Sequence, residues 1–465
     1  MRFFHFLLGF LLLAAIPAQA QTISFSGKVT DANTGKPLAF AQLRAVNAKM
    51  GSVSNADGYF LLRFRSKDIQ GDTLMITYIG YEPILMPMDP MGIGEELDIR
   101  METASFSIDS VLIVPFTPQE LIKQALVKVE ENYQHSPSLS RGFYRELVQE
   151  NEQYVTFNEA VLDVYQTSLG MEARNNNQVR LVKGRSKGSK QSIFGDDFAM
   201  GGGGPHEISG RPVIGEMIVQ HFLDSANFKY YEYELVGRSL YEGREVYEIH
   251  FQQDRKKRQL MYDGVIYIDA ATRAFAAIDW HFSTNGKKFR IKQIDDVGAG
   301  AGAALALAKL LFGFDFDLMD HSGRLAFQIE NGKWYMSYAQ EEARFWLKIP
   351  TKFMDEMNDW DEEDESMEGM SDAEKKKIKK ARKKQFKEEN PKHMEGTYWY
   401  NRQLAFTSRD VSPGGEIPES ERLKKDQELE KFSGEYNDSF WDEYNIIAPS
   451  QSLREIIEAL DQSAE

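Results

Sequence analysis

The chain has 465 residues, 42% of them hydrophobic, and its 71 acidic side chains outnumber 55 basic ones for a net charge of −16. That balance excludes nucleic acid as a bulk partner, since phosphate binding needs a basic face. The absence of cysteine excludes disulfides, thiolate metal sites and a lipid-modified N-terminal Cys, and leaves two to four domains of about 150 residues to stand on their own cores.

The first element is a secretory signal peptide over residues 1–20. Arg2 precedes the apolar run Phe3 to Leu13, and Ala18-Gln19-Ala20 supplies the cleavage pattern. The run is roughly half the length of about 20 residues that spans a bilayer, so the mature chain is expected to begin at Gln21. Ile23 to Val29 then alternates apolar and polar residues as a half-buried strand, and DANTGKP ends it with turn chemistry. AFAQLRAV resumes the alternation, Asp57-Gly58 turns the chain into YFLLRF, and DTLMITYIGYEPILM supplies two more strands around Gly80. Residues 21–102 therefore read as a compact β sandwich.

The pairing of GKVTDANTGKPLAFA with GSVSNADGYFLL and then DTLMITYIGY resembles the carboxypeptidase regulatory-like domain, a transthyretin-like sandwich. Such domains often open exported proteins of Bacteroidota, including many TonB-dependent receptors. The resemblance implies a docking or spacer module without catalytic residues; it is specific for fold and nearly silent about activity.

Residues 103–137 form a linker and an amphipathic helix. Thr117-Pro118-Gln119-Glu120 is a capping box with proline at the first helical position, and Leu121, Ile122, Ala125 and Val129 share one face. Residues 138–353 read as an antiparallel β domain of long strands without helical spacers, interrupted by a four-glycine loop near Gly201.

The rhythm of Gly237 to Val246 followed by GVIYIDAATRAF resembles the lipoprotein-carrier (LolA- and LolB-like) half barrel. That resemblance implies a curved sheet with covering helices, whose concave face holds acyl chains. Tyr247, Phe251, Tyr267 and Trp280 would line the cavity, with Leu305 and Leu310 of the apolar run Gly298 to Phe314 above them. Core packing is the alternative role for these side chains.

Asn331-Gly332 is the strongest hairpin signal in the chain. Residues 354–395 form a charged insertion, helical or disordered, in which an acidic block abuts a basic one. Residues 396–465 supply a final strand and a C-terminal helix carrying Leu453, Ile456, Ile457 and Leu460 on one face. This ending, with GFYRE at Gly142 and NEAVLDVY at Asn158, resembles a group of Bacteroidota exported proteins that join the same N-terminal domain to a β region. No residue roles come with that resemblance.

Few residues suggest chemistry. Gly184-Arg185-Ser186-Lys187-Gly188 fits the G-x-S-x-G string of a hydrolase elbow, but no helical stripe follows it, so a flexible basic loop is expected. His250 and His281 sit in strand patterns where a zinc pair across the sheet is conceivable. Asp315, Asp317 and Asp320 cluster as calcium ligands do, with an exposed acidic turn as the plainer reading.

The expected protein is mainly β and non-enzymatic, without cofactor, metal or catalytic residues. It is exported to the periplasm or the periplasmic face of the outer membrane, where the sandwich docks and the larger sheet binds an envelope protein or an apolar ligand. A lipid carrier is the first alternative, and a hydrolase using Ser186 the second.

Overall fold

A computed structural model describes residues 22–88, 96–104, 115–168, 177–188, 222–257, 261–285, 315–350, 370–389, 393–424 and 439–464, with the single residues 205 and 429. The signal peptide, the four-glycine loop, the Gly298 to Phe314 run with Leu305 and Leu310, and the acidic block before 370 lie outside the described residues.

The N-terminal unit is a sandwich built from β1 (Thr22–Asp31), β2 (Gln42–Ala45), β3 (Met50–Val53), β4 (Tyr59–Arg65), β5 (Thr73–Thr77), β6 (Ile84–Pro87) and β7 (Glu96–Met101). One sheet has the order β4-β1-β7 and the other β3-β2-β5-β6. Their inward positions, among them Phe25, Val29, Leu43, Phe60, Leu62, Phe64 and Ile76, form one buried cluster, as the period of two requires.

The turn after β1 is held by Asp31, which accepts from the Tyr81 hydroxyl at 2.7 Å and from the amides of Asn33 and Thr34 at 2.9 and 2.6 Å. The Tyr81 bond, then those from Thr34, hold its carboxyl down to about 2. Because the folded value lies below the unfolded one of about 3.9, its contribution to stability is complete above that pH and is lost as pH falls toward 2. Asp31→Asn keeps the turn but cannot titrate. Thermal melts of the two proteins should converge as pH drops through this window; parallel curves would remove Asp31 from the acid response.

Two short helices follow, α1 (Pro118–Val127) and α2 (Val129–Asn132). The capping box forms in full: the Glu120 amide donates to Thr117 Oγ1 at 3.2 Å, and the Thr117 amide to Glu120 Oε2 at 2.7 Å.

The rest of the described chain is dominated by one antiparallel sheet. Its strands are β8 (Ser138–Glu150), β9 (Gln153–Gln166), β10 (Gln178–Gly188), β11 (Tyr231–Tyr241), β12 (Arg244–Gln253), β13 (Tyr262–Asp269), β14 (Phe275–Phe282), β15 (Asp315–Glu330), β16 (Lys333–Pro350) and β17 (His393–Asp410). The order is β11-β12-β13-β14-β15-β16-β17-β8-β9-β10. The β15–β16 turn has Asn331 and Gly332 at φ 50° and 76°, the doubly left-handed turn that Asn-Gly favours.

The sheet curls. Val179 on the terminal strand β10 and Tyr231 on the opposite terminal strand β11 belong to one buried cluster, with Leu121, Ile122 and Ala125 of α1 and Phe222 among its other members. The face that carries this cluster is the inner one.

The outer face is covered by two other parts of the chain. The sandwich packs Val53, Phe40 and Ile79 against Phe143, Ala277, Ala326 and Tyr338, with Trp441 and Ile446 in the same cluster. The C-terminal helix α4 (Gln451–Ala464) sets Leu453, Ile457 and Leu460 on Phe157. The basic block is helix α3 (Asp372–Glu389), inserted between β16 and β17.

Candidate functional site

Directly paired residues of adjacent strands share a face, so the register itself draws a line across the sheet. On the inner face the line runs through all ten strands: Tyr233, Phe251, Gly264, Trp280, Gly323, Glu341, Arg402, Glu146, Asn158 and Ser186. Its first five positions are aromatic rings and glycines, and its last five are charged or polar.

In the aromatic half, glycine alternates with rings because the rings lie across the neighbouring strand. A Cβ on Gly323 would stand 2.1 Å from Trp280 Cζ2, and one on Gly264 would stand 2.8 Å from Phe251 Cζ. Phe222 stacks on Phe251 with centroids 4.4 Å apart, closing the face from within. Trp280 is buried, yet its Nε1 has no hydrogen-bond acceptor among the described residues.

The polar half is bonded strand to strand. Arg402 Nε donates to Glu146 Oε1 at 2.6 Å, Asn158 Nδ2 to Glu146 Oε2 at 3.1 Å, and Ser186 Oγ to Asn158 Oδ1 at 2.5 Å. Where the halves meet, Tyr262 Oη lies 2.9 Å from His321 Nδ1, and His321 Nε2 lies 3.2 Å from Glu341 Oε1. Burial raises the Tyr262 hydroxyl far above its ordinary value, so it stays protonated beside the ring. Apolar clusters lie on both sides of this belt: the large inner cluster on one, and Val148, Ala343, Leu347, Ile349, Met394 and Tyr398 on the other.

Of the residues named from sequence, Tyr247, Phe251 and Trp280 meet in the inner cluster. Tyr267 pairs with Glu248 and Ala277 and stands on the outer face, because its strand places it one residue out of phase with Ile266.

Ser186 is no elbow. It lies within β10, bonded to Asn158, so the expected flexible loop is a strand and the serine is held inside the sheet. His250 rests on Glu248 at 2.8 Å, and His281 Nδ1 on the Asp263 carbonyl at 3.0 Å. Asp315, Asp317 and Asp320 stand on strand β15 where an exposed turn was expected. Among the described residues no group of three or more His, Asp or Glu is placed to hold a metal.

Sequence reasoning missed a buried ion cluster on the outer face. Arg145 donates to Glu159 Oε1 through Nε at 2.8 Å and Nη2 at 2.6 Å, Arg185 donates to Oε2 through Nε at 2.8 Å, and Trp441 Nε1 adds a bond at 3.0 Å. The signal was present in GFYREL, where alternation puts Arg145 on the face of Phe143.

Residues 25–113 match the family model described as the CarboxypepD_reg-like domain. No curated protein matches the chain. Solved structures similar to it include a putative outer membrane lipoprotein-sorting protein domain from Vibrio parahaemolyticus, 9% identical with a TM-score of 0.21, covering 63% of this chain and 93% of that one. A LolA superfamily protein from Nitrosomonas europaea is 10% identical with a TM-score of 0.19, covering 66% and 98%. The MucA/MucB complex of Pseudomonas aeruginosa matches at 14% identity and a TM-score of 0.18, covering 50% and 80%. At these scores the functional reading rests on the chain's own residues.

Proposed function

We propose that the chain is a non-enzymatic binding protein of the cell envelope, and that the inner face of its curled sheet holds an acylated, amphipathic ligand. The observation that carries the reading is the Trp280 indole N–H, buried on that face without an acceptor among the described residues. A buried donor left unmade costs about 1–3 kcal/mol, a cost that a ligand carbonyl removes. An ester or amide at the head of an acyl chain supplies such a carbonyl. The belt from Glu341 to Ser186 suits its polar group, and the apolar clusters on either side suit its chain. Among the described residues no helix is long and apolar enough to cross a membrane. The envelope location rests on the signal-peptide pattern of residues 1–20.

Mass spectrometry of organic extracts from protein purified out of its own envelope, without detergent, tests the proposal. A stoichiometric acylated compound is expected, and Trp280→Phe, which keeps the ring and removes the donor, should weaken its retention several-fold. A clean native protein, or unchanged retention in Trp280→Phe, overturns it. The second reading, an envelope scaffold, is favoured by the fixed seat of the sandwich: Gly80 N donates to the Leu240 carbonyl at 2.9 Å and Arg44 pairs with Glu242 at 2.8 Å.

A further inference from the structure

A cavity of about 130 Å³ lies in the seam between the sandwich and the outer face of the large sheet. A cavity of about 150 Å³ is known to take a benzene molecule, so this space, which opens to solvent, admits part of one six-membered ring whose substituents project from its mouth. Its walls include the rings of Phe40, Tyr78, Tyr267 and Tyr338, and Phe40 stacks on Tyr338 at 5.1 Å. It differs from an apolar void in the polar groups that reach it.

Gln42 on β2 is 7% exposed and lines the cavity. Its Nε2 donates to the Tyr241 hydroxyl and, at 2.8 Å, to Ser337 Oγ. Ser337 already donates to the Ala326 carbonyl at 3.1 Å, so it must accept from Gln42, and this fixes the orientation of the amide. Gln42 Oε1 is thereby left buried without a donor among the described residues. The Tyr267 hydroxyl, held protonated by burial, makes no hydrogen bond among the described residues.

The charges at the site cancel. Arg324 Nε and Nη2 meet Asp279 Oδ1 and Oδ2 at 2.7 and 2.9 Å. Burial alone lowers the Arg324 guanidinium, and the Asp279 carboxylate more than reverses that, so the guanidinium keeps its charge and is paired one to one. A charged ligand would be desolvated here without a counter-ion, which selects against it. The site thus offers aromatic faces, an unmet acceptor, a hydroxyl with no protein partner among the described residues, and no net charge. An uncharged ring bearing several hydroxyls answers all four, because each hydroxyl both donates and accepts while the C–H faces of the ring stack on aromatics.

We propose that this seam is a second binding site, separate from the inner face, and that it takes one neutral pyranose unit. The test is ligand-observed NMR on the full mature chain with uncharged methyl pyranosides, and with a uronate as the charged control. Saturable binding of at least one neutral pyranoside is expected, with the uronate weaker. Ala277→Leu, which puts a larger side chain into the cavity wall, should abolish binding. Tyr267→Phe, which removes only the hydroxyl, should weaken it about 3- to 10-fold, the worth of one hydrogen bond. No saturable signal from any neutral pyranoside overturns the proposal, as water alone in the cavity would give. So does binding that survives both variants, or a uronate bound as well as its neutral counterpart. Should Ala277→Leu fail to fold by circular dichroism, Tyr267→Phe decides.

Discussion

Replacing Glu159 with Gln is expected to destabilise the protein by about 3–5 kcal/mol, read as a fall in the urea midpoint at unchanged slope. The side chains of Arg145 and Arg185 are each 6% exposed and that of Glu159 is 1% exposed, so the carboxylate is the buried counter-charge for two guanidinium groups at once. An amide keeps the shape and removes the charge, leaving two buried cations facing each other across one neutral oxygen. The loss should far exceed the value of a surface ion pair, which is about 0–1 kcal/mol. Replacing all three by Met should cost much less than the single change, since no unpaired charge then remains. A Glu159→Gln loss below about 1 kcal/mol would show that water reaches the cluster and that the C-terminal segment over it opens.

Gly323→Ala should lower stability toward the upper end of the about 1–3 kcal/mol seen on overpacking a core. The added Cβ would meet three atoms of the Trp280 indole within 2.6 Å, and that ring is itself packed from within by Phe222 at 6.4 Å between centroids. The cause is local, so the remedy should be too. Adding Trp280→Leu to Gly323→Ala should cost less than the sum of the two single changes, with a coupling energy on the order of 1–3 kcal/mol in chemical denaturation. Strict additivity would mean that the clash is relieved by a backbone shift and that the ring does not depend on the glycine.

The elements that read correctly from sequence were those whose signal is local. Asn331-Gly332 can turn only one way cheaply, Thr117 and Glu120 satisfy each other's backbone within three residues, and the alternation in β12 and β14 announces strands. The inner-face line was illegible because it is a property of register. Arg402 faces Glu146 only because β17 lies beside β8, which is 256 residues away. Period-two alternation does set Tyr267 opposite in face to Ile266 and Ile268, yet which of the two faces is the inner one is decided by the partner strands, and the sequence does not mark it. The same limit explains Ser186: a five-residue string matched a hydrolase pattern, while the partner that defines its surroundings, Asn158, belongs to the neighbouring strand.

The seam between the sandwich and the C-terminal segment sets a schedule for the newborn chain. Ser52 Oγ donates to the Ile446 carbonyl at 2.8 Å across a separation of 394 residues, and the Arg63 amide reaches Asn445 Oδ1 at 2.6 Å. At a synthesis rate of about 5–20 residues per second, the second partner leaves the ribosome about 20–80 s after the first. Until then Val53, and Phe143 and Val161 once they are made, lack Trp441, Ile446 and Ile447, which bury them in the finished protein. Closing so long a loop is slow, and greasy strands left waiting tend to find one another in neighbouring chains. The segment from Trp441 to Ile447 is therefore the one that ends the exposure of these strands to aggregation.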